Sequence, residues 1–243
     1  MRWPFRKQAT SNKKEARRHY NAKNYDKAEP FLHELIKQNP SDVWAMDVLS
    51  RLYMNTRRHS DAVELIRRLI SLNANRDYQR RLIHAGCVSK QVQIVLQYAK
   101  KVDWQEEDEE LLSKIYENFW GHEECKAFFE DTVWIEDLIF PNFVQAQRLF
   151  DRDKTEEAID LLTTLVSKDV VNESTLMFSR QVCESLGQVE MAHDLWANYL
   201  RHIEGELSRK RSLAKRLRHA GRFEESLTVA KMVLRESVND LQM

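Results

Sequence analysis

Five short segments of the chain share one arrangement of polar and small apolar positions. Asn24-Tyr25-Asp26-Lys27-Ala28 is matched by Arg58-His59-Ser60-Asp61-Ala62, Lys154-Thr155-Glu156-Glu157-Ala158, Gln188-Val189-Glu190-Met191-Ala192 and Arg222-Phe223-Glu224-Glu225-Ser226. One helical turn beyond the small residue stands a large apolar one in Leu32, Ile66, Leu162 and Trp196. Small side chains let two helix axes approach, and large ones fill the grooves beside the crossing. The segments recur about 34 residues apart, the interval of a helix-pair repeat. The long gap between Ala62 and Ala158 holds two further units, whose small positions are read as Gln91 and Cys125. That assignment makes the third unit short and the most degenerate.

Helix breakers agree with this periodicity. Gly86, Gly121, Gly187 and Gly221 are expected between the two helices of a unit, and Gly205 and Pro40 between units. Pro30 and Pro141 are placed in first turns, where a missing N–H is tolerated. Five Gly and four Pro in 243 residues are too few for a turn-rich β fold. The expectation is an all-α α-solenoid, a right-handed superhelix of antiparallel helix pairs, with units near 9–42, 43–71, 72–105, 106–138, 139–172, 173–206 and 207–240. Residues 1–8 are read as a frayed basic tail.

The residues at these positions resemble the tetratricopeptide repeat family over nearly the whole chain. The first unit matches with Ala16, Ala28, Leu32 and Pro40, and the second with Leu49, Tyr53, Ala62, Ile66 and Leu69. Later units match with Leu112, Tyr116, Cys125 and Phe129, with Ala146, Ala158 and Leu162, with Gly187, Ala192 and Trp196, and with Ala214, Gly221 and Phe223. Ser50, Gln79, Ser113 and Arg180 depart from the small residue that the first helix of a unit carries in this family. The resemblance implies a scaffold whose first helices line a groove for a peptide or protein segment. Its carboxylate clamp for acidic chain ends is not reproduced, since Arg17, Val48, Asn73 and Asp77 stand where that clamp has other residues.

On the expected groove, units one to three present Lys13, Arg17, Tyr20, Arg51, Arg76 and Arg80, a basic surface with aromatic character. Units five and six present Phe140, Phe143, Phe150, Met177 and Phe178, an apolar cluster that the segment from Thr132 to Leu138 could cover. Unit seven presents Arg211, Lys215 and Arg218. The partner expected is a protein or peptide, partly acidic and partly apolar. Two other readings are a repeat module of a larger glycan-synthesis enzyme and an RNA-associated helical repeat. The second is disfavoured by a net charge of +0, from 38 basic and 38 acidic residues.

No motif asks for catalysis. A phosphate-binding glycine loop and a nucleophile elbow are missing from the sequence, and Asp151-Arg152-Asp153 is read as a solvated turn. His122 and Cys125 lack the second ligand pair of a zinc site, and Glu106 to Glu110 read as a solvated acidic helix start. No cofactor and no metal are expected. The three widely spaced cysteines, Cys87, Cys125 and Cys183, suit a reducing compartment, the cytoplasm, and no stretch is long and apolar enough to span a membrane. The last helix carries Leu227, Ala230, Leu234 and Val238 on one stripe and Val229, Met232 and Val233 on another. Only one stripe can face its own unit, which predicts a homodimer through unit seven or a missing following helix.

Overall fold

The computed structural model describes residues 3–134, 138–168, 170 and 173–240. Among them are fourteen α-helices and no strand: α1 (Trp3–Asn21), α2 (Tyr25–Gln38), α3 (Val43–Asn55), α4 (His59–Leu72), α5 (Arg76–Val88), α6 (Val92–Ala99), α7 (Glu109–Phe119), α8 (Glu123–Asp131), α9 (Ile139–Asp151), α10 (Thr155–Val166), α11 (Glu173–Ser185), α12 (Val189–His202), α13 (Leu207–His219) and α14 (Phe223–Asp240). They form successive pairs joined by short turns, an all-α helical-repeat fold. Helix α1 begins at Trp3, so residues 3–8, expected as a tail, continue the first helix.

The chain divides into two compact units, one made of Met1–Trp104 with Lys114–Phe128 and the other of Gln105–Ser113 with Phe129–Met243. The first has a core built on Ala16, Leu32, Met46, Leu49, Leu52, Ile66, Leu69 and Leu82. The second has its own core, built on Phe143, Ala146, Leu162, Leu176, Leu195, Tyr199, Leu213 and Val229.

Each core is organised by close helix crossings. Ala16 and Ala28, and likewise Ala146 and Ala158, have no solvent exposure. Ala62, Cys125 and Ala192 are buried at the equivalent places, and the Ser226 hydroxyl donates across the last pair to the Ala214 carbonyl at 2.7 Å. Ser50 and Ser113 are buried too. Each satisfies its hydroxyl on a carbonyl of its own helix, so a serine serves where the family has alanine. Arg180 departs further, burying its guanidinium and pairing it with Glu225 of α14 at 2.8 Å.

A second feature recurs in six of the seven turns between paired helices. Lys23, Arg57, Lys90 and Asp153 adopt left-handed φ values of 57°, 63°, 59° and 61°, and Gly187 and Gly221 adopt 72° and 76°. After each, an amide donates back five residues: Asn24 to His19, Arg58 to Tyr53, Gln91 to Gly86, Lys154 to Leu149, Gln188 to Cys183 and Arg222 to Leu217, at 2.8–3.0 Å. This bond closes a Schellman motif and satisfies a carbonyl the ending helix leaves open. Four of the six left-handed positions carry a side chain, which costs about 1–2 kcal/mol relative to a right-handed residue.

The left-handed turn corrects the reading of the third unit. Counted from Lys90, the residue in the place of Ala28, Ala62 and Ala158 is Val95, not Gln91, which instead precedes α6 as its cap. A valine there needs room on the facing helix. Gly86 provides it from within α5 rather than in a turn, for a Cβ on Gly86 would lie 2.6 Å from Val95 Cγ2. The small and large partners have exchanged helices. Pro30 also differs from expectation, since it is the sixth residue of α2 and removes one interior backbone hydrogen bond.

Two substitutions should therefore move stability in opposite directions. Gly86→Ala is expected to lower it by about 1–3 kcal/mol through overpacking against Val95. Arg57→Gly is expected to raise it by about 0.5–1 kcal/mol, the relieved backbone strain less the added freedom of the unfolded chain. Urea denaturation of both variants measures this, and an unchanged midpoint for Gly86→Ala would show that Val95 swings aside.

Candidate functional site

In the first compact unit, the cations expected on a groove lie on α1, α3 and α5. Asp42 caps α3 by accepting from the Ala45 amide at 3.0 Å, and Asn75 caps α5 by accepting from Tyr78 at 2.8 Å. These starts set the helical phase that places Asp47 with Arg51, and Asp77 with Arg81, one turn apart on a shared face. Asp47 accepts from Arg51 Nε at 3.2 Å and also pairs with Arg81, whose Nε lies 3.1 Å from Asp77. The Arg81 guanidinium sits 4.9 Å from the Tyr78 ring centre. Both carboxylates of this face are thereby occupied by arginines from within the chain.

Helix α1 is supplied differently. Lys13, Lys14 and Arg17 are exposed, and among the described residues none has a carboxylate partner. Lys13 Nζ lies 4.5 Å from the centre of the half-buried Trp44 ring. Tyr20 is half-buried against Tyr25, ring centres 5.7 Å apart, and its hydroxyl accepts from Asn55 Nδ2 at 3.4 Å. Burial, with Tyr25 beside it, raises the Tyr20 hydroxyl above its ordinary range despite Arg51. It stays a neutral donor. Arg76 is tied through Nε to the Asp103 carbonyl at 3.1 Å, and Arg76 and Arg80 are both half-buried.

The apolar cluster of the second compact unit requires a correction. Phe140 and Phe143 are 1% and 0% exposed, and Val144 is buried with them, so these side chains belong to the core and not to an open surface. Phe140 packs edge-on against Phe129 and lies 5.0 Å from the Phe178 ring centre. Phe150, Met177 and Phe178 are half-buried against the same core and retain surface. The Ile135-Glu136-Asp137 stretch expected to fold over the cluster lies outside the described residues.

The start of α9 is held by Glu109, a residue expected from the sequence on a solvated helix start. Glu109 is 2% exposed, and its carboxylate accepts from the amides of Ile139 and, at 3.1 Å, Phe140, and from the Thr175 hydroxyl at 3.0 Å. Helix α9 starts at Ile139 behind Leu138, which has no side chain to cap it. Glu109 performs the capping from a distant part of the sequence, at the end of the helix where a negative charge is favoured. Burial raises its carboxyl above the ordinary range, against the lowering effect of those hydrogen bonds. An apolar residue, Leu138, at the cap position of an apolar helix start was the available signal.

The basic run of α13 separates by helical phase. Lys210 is buried on Glu236, Arg209 pairs with Glu206 at 2.9 Å, and Arg222 with Glu184 at 2.8 Å. Arg216 donates to the Ser174 hydroxyl at 2.6 Å. Arg211, Lys215 and Arg218 are exposed and have no ion-pair partner among the described residues. These three were the residues expected from the sequence.

Burial pushes all three thiols, Cys87, Cys125 and Cys183, up to about 12. They are poor nucleophiles in that state. Asp153 is the left-handed residue of its turn and Asp151 pairs with Arg148 at 3.4 Å. Among the described residues no group of three or more His, Cys, Asp or Glu could hold a metal ion, and no helix is long and apolar enough to cross a membrane.

Phe143 and Phe178 should now separate by experiment. Phe143→Ala is expected to cost about 3–5 kcal/mol of stability, the penalty of a core cavity. Phe178→Ala, at a half-buried position, should cost clearly less. Thermal and urea unfolding of the two variants check the order, and equal losses would return Phe143 to the surface.

Residues 20–83 match the tetratricopeptide repeat family model, a span running from the end of α1 into α5. No curated protein matches the sequence. Among solved structures, the chain is similar to the MamA protein, at 12% identity over 83% of this chain and 94% of that one with a TM-score of 0.47. It is similar to pilF of Pseudomonas aeruginosa, at 13% identity over 86% and 98% with a TM-score of 0.44. It is also similar to the TPR2AB-domain:pHSP90-complex of yeast Sti1, at 12% identity over 93% and 89% with a TM-score of 0.34. The family match is confined to residues 20–83, and the turn seen there at Lys23 and Arg57 recurs at Lys90, Asp153, Gly187 and Gly221, so the chain is an all-α helical-repeat protein whose residues 20–83 carry the tetratricopeptide repeat signature.

Proposed function

We propose that the protein is a non-catalytic scaffold that binds a protein or peptide segment on the face formed by α1, α3 and α5, and that the segment carries acidic side chains beside an apolar one. The observation that carries this reading is the unequal sharing of charge on that face. Asp47 and Asp77 are taken up by Arg51 and Arg81, whereas Lys13, Lys14 and Arg17 are exposed with no carboxylate partner among the described residues. Unpaired cations beside half-buried aromatic rings, here Trp44 and Tyr20, offer a partner both a charge and a flat apolar anchor.

Within the second compact unit, Phe150, Met177 and Phe178 keep surface on α9 and α11, and Arg211, Lys215 and Arg218 form an exposed stripe on α13. A partner reaching these residues would meet the same pairing of apolar and basic chemistry. An RNA partner fits the α1–α3–α5 face less well. Asp47 and Asp77 take up Arg51 and Arg81 within it, which leaves few cations for a phosphate backbone, and proteins engage that backbone with many.

Peptide display against the immobilised full chain tests the proposal. Selection is expected to enrich sequences with Asp or Glu next to Trp, Phe or Leu. For an enriched peptide, Trp44→Ala should cost about 1–3 kcal/mol of binding, and Arg17→Ala should mainly flatten the salt dependence. Phe178→Ala provides the matching test in the second unit. Enrichment without acidic residues, undiminished binding by a Lys13→Ala, Arg17→Ala, Trp44→Ala triple variant, or tighter binding to single-stranded RNA would each overturn it.

A further inference from the structure

The described residues include seven large apolar side chains that are exposed, and three of them, Phe223, Leu227 and Leu234, lie on one stripe of α14 at 66%, 56% and 65% exposure. Ala230 falls between them, half-buried. Successive spacings of four, three and four residues hold the stripe on one face of the helix. Val229 and Val233 lie on a separate face about a third of a turn away, 0% and 8% exposed, where they pack toward α13. That packing is fixed by two polar ties, Lys210 to Glu236 and the Ser226 hydroxyl to the Ala214 carbonyl. Helix α14 therefore cannot roll to hide the exposed stripe without breaking a buried ion pair. Of the two stripes read in the sequence, the one through Leu227 and Leu234 is left open, and the Val238 side chain lies outside the described residues.

The charges flanking the stripe indicate its occupant. Along one side run Glu224 at the N-terminal end and Lys231 and Arg235 toward the C-terminal end, all exposed. Among the described residues none of the three has an ion-pair partner. An acid at one end and cations at the other form a pattern that is complementary to itself when the helix is turned end for end. A second α14 laid antiparallel sets Phe223 against the other copy's Leu234, Leu227 against its Ala230, and Glu224 beside its Lys231 and Arg235. Two-fold symmetry then makes every contact twice. A partner of another sequence would have to reproduce this same arrangement of apolar and charged positions, which the chain already carries.

We infer that α14 is a self-association surface, through which two copies of the chain pair antiparallel along Phe223, Leu227, Ala230 and Leu234. This surface is independent of the α1–α3–α5 face. Four apolar side chains per copy fall well short of the roughly 20–30 residues a side of a stable interface, so the pairing is reversible and concentration-dependent.

Sedimentation equilibrium of the full chain from about 1 to 500 μM is expected to show a mass rising from monomer to dimer, with a midpoint of tens of micromolar. Leu227→Asp, at an exposed position, should leave the unfolding midpoint unchanged and weaken association by about tenfold or more. Glu224→Lys and Lys231→Glu should each weaken it by severalfold, and the double exchange should restore it, because the ion pair is remade with its signs reversed. The proposal is overturned by a monomeric mass at every concentration, by a dimer that tolerates Leu227→Asp, or by a double exchange no stronger than its singles. The restoring variant separates antiparallel pairing from unspecific apolar association, which would not read the order of the charges.

Discussion

The structure depends on where each helix pair turns. In six of the seven pairs a left-handed residue ends the first helix, the next amide bonds back five residues, and the second helix then starts at a fixed phase. This phase decides which side chain stands at the crossing a turn and a half later, so small residues at Ala28, Ala62, Ala158 and Ala192 follow from the turn geometry. The turn matters enough that four non-glycine residues accept the left-handed region to preserve it. The third pair shows the order of dependence. There the turn at Lys90 is kept while the crossing is rebuilt, with Gly86 yielding to Val95.

Much of this was legible in the sequence because local signals and periodicity point the same way. The recurring small residues, the interval of about 34 residues and the scarcity of Gly and Pro specify paired helices without any long-range information. The third unit was misread because small residues, not turns, served as the ruler. Gln91 follows from its distance to Cys125 and from Gly86 standing five residues before it, yet nothing in a lysine such as Lys90 announces a positive φ. A glycine does announce it, and Gly187 and Gly221 were placed correctly between their helices. A glycine inside a helix gives the same signal for a different reason, which is why Gly86 looked like a turn.

The site was legible in part, and the limits have one cause. Sequence position tells which face of a helix a residue occupies but not what covers that face. Lys13, Arg17, Arg211, Lys215 and Arg218 were expected at the surface and lie there. Phe140 and Phe143 were expected on it too, and they are core, on a helix whose first turn Glu109 holds by its amides while carrying Thr175 of α11 on its other oxygen. A buried carboxylate with three donors is a long-range constraint, and its cost of burial is offset only in the assembled fold. An acidic run such as Glu106 to Glu110 gives no hint that Asp108 and Glu109 are buried and their neighbours Glu107 and Glu110 exposed.

Charge shows the same separation at finer scale. Helix α13 reads as an undivided basic run, but adjacent residues have opposite roles: Lys210 is buried against Glu236, and Arg211 stands free in solvent. The difference is a rotation of one residue on a helix whose apolar side is fixed by Leu213 and Leu217. Cations on the buried side hold the fold and contribute little to the field a partner meets, since their charge is cancelled at contact distance. Those on the outer side, spaced a turn apart, contribute nearly all of it. In a chain with no net charge, any electrostatic preference must therefore arise from helical phase, which sorts paired charges inward and unpaired ones outward along a stripe that an extended or helical partner could follow.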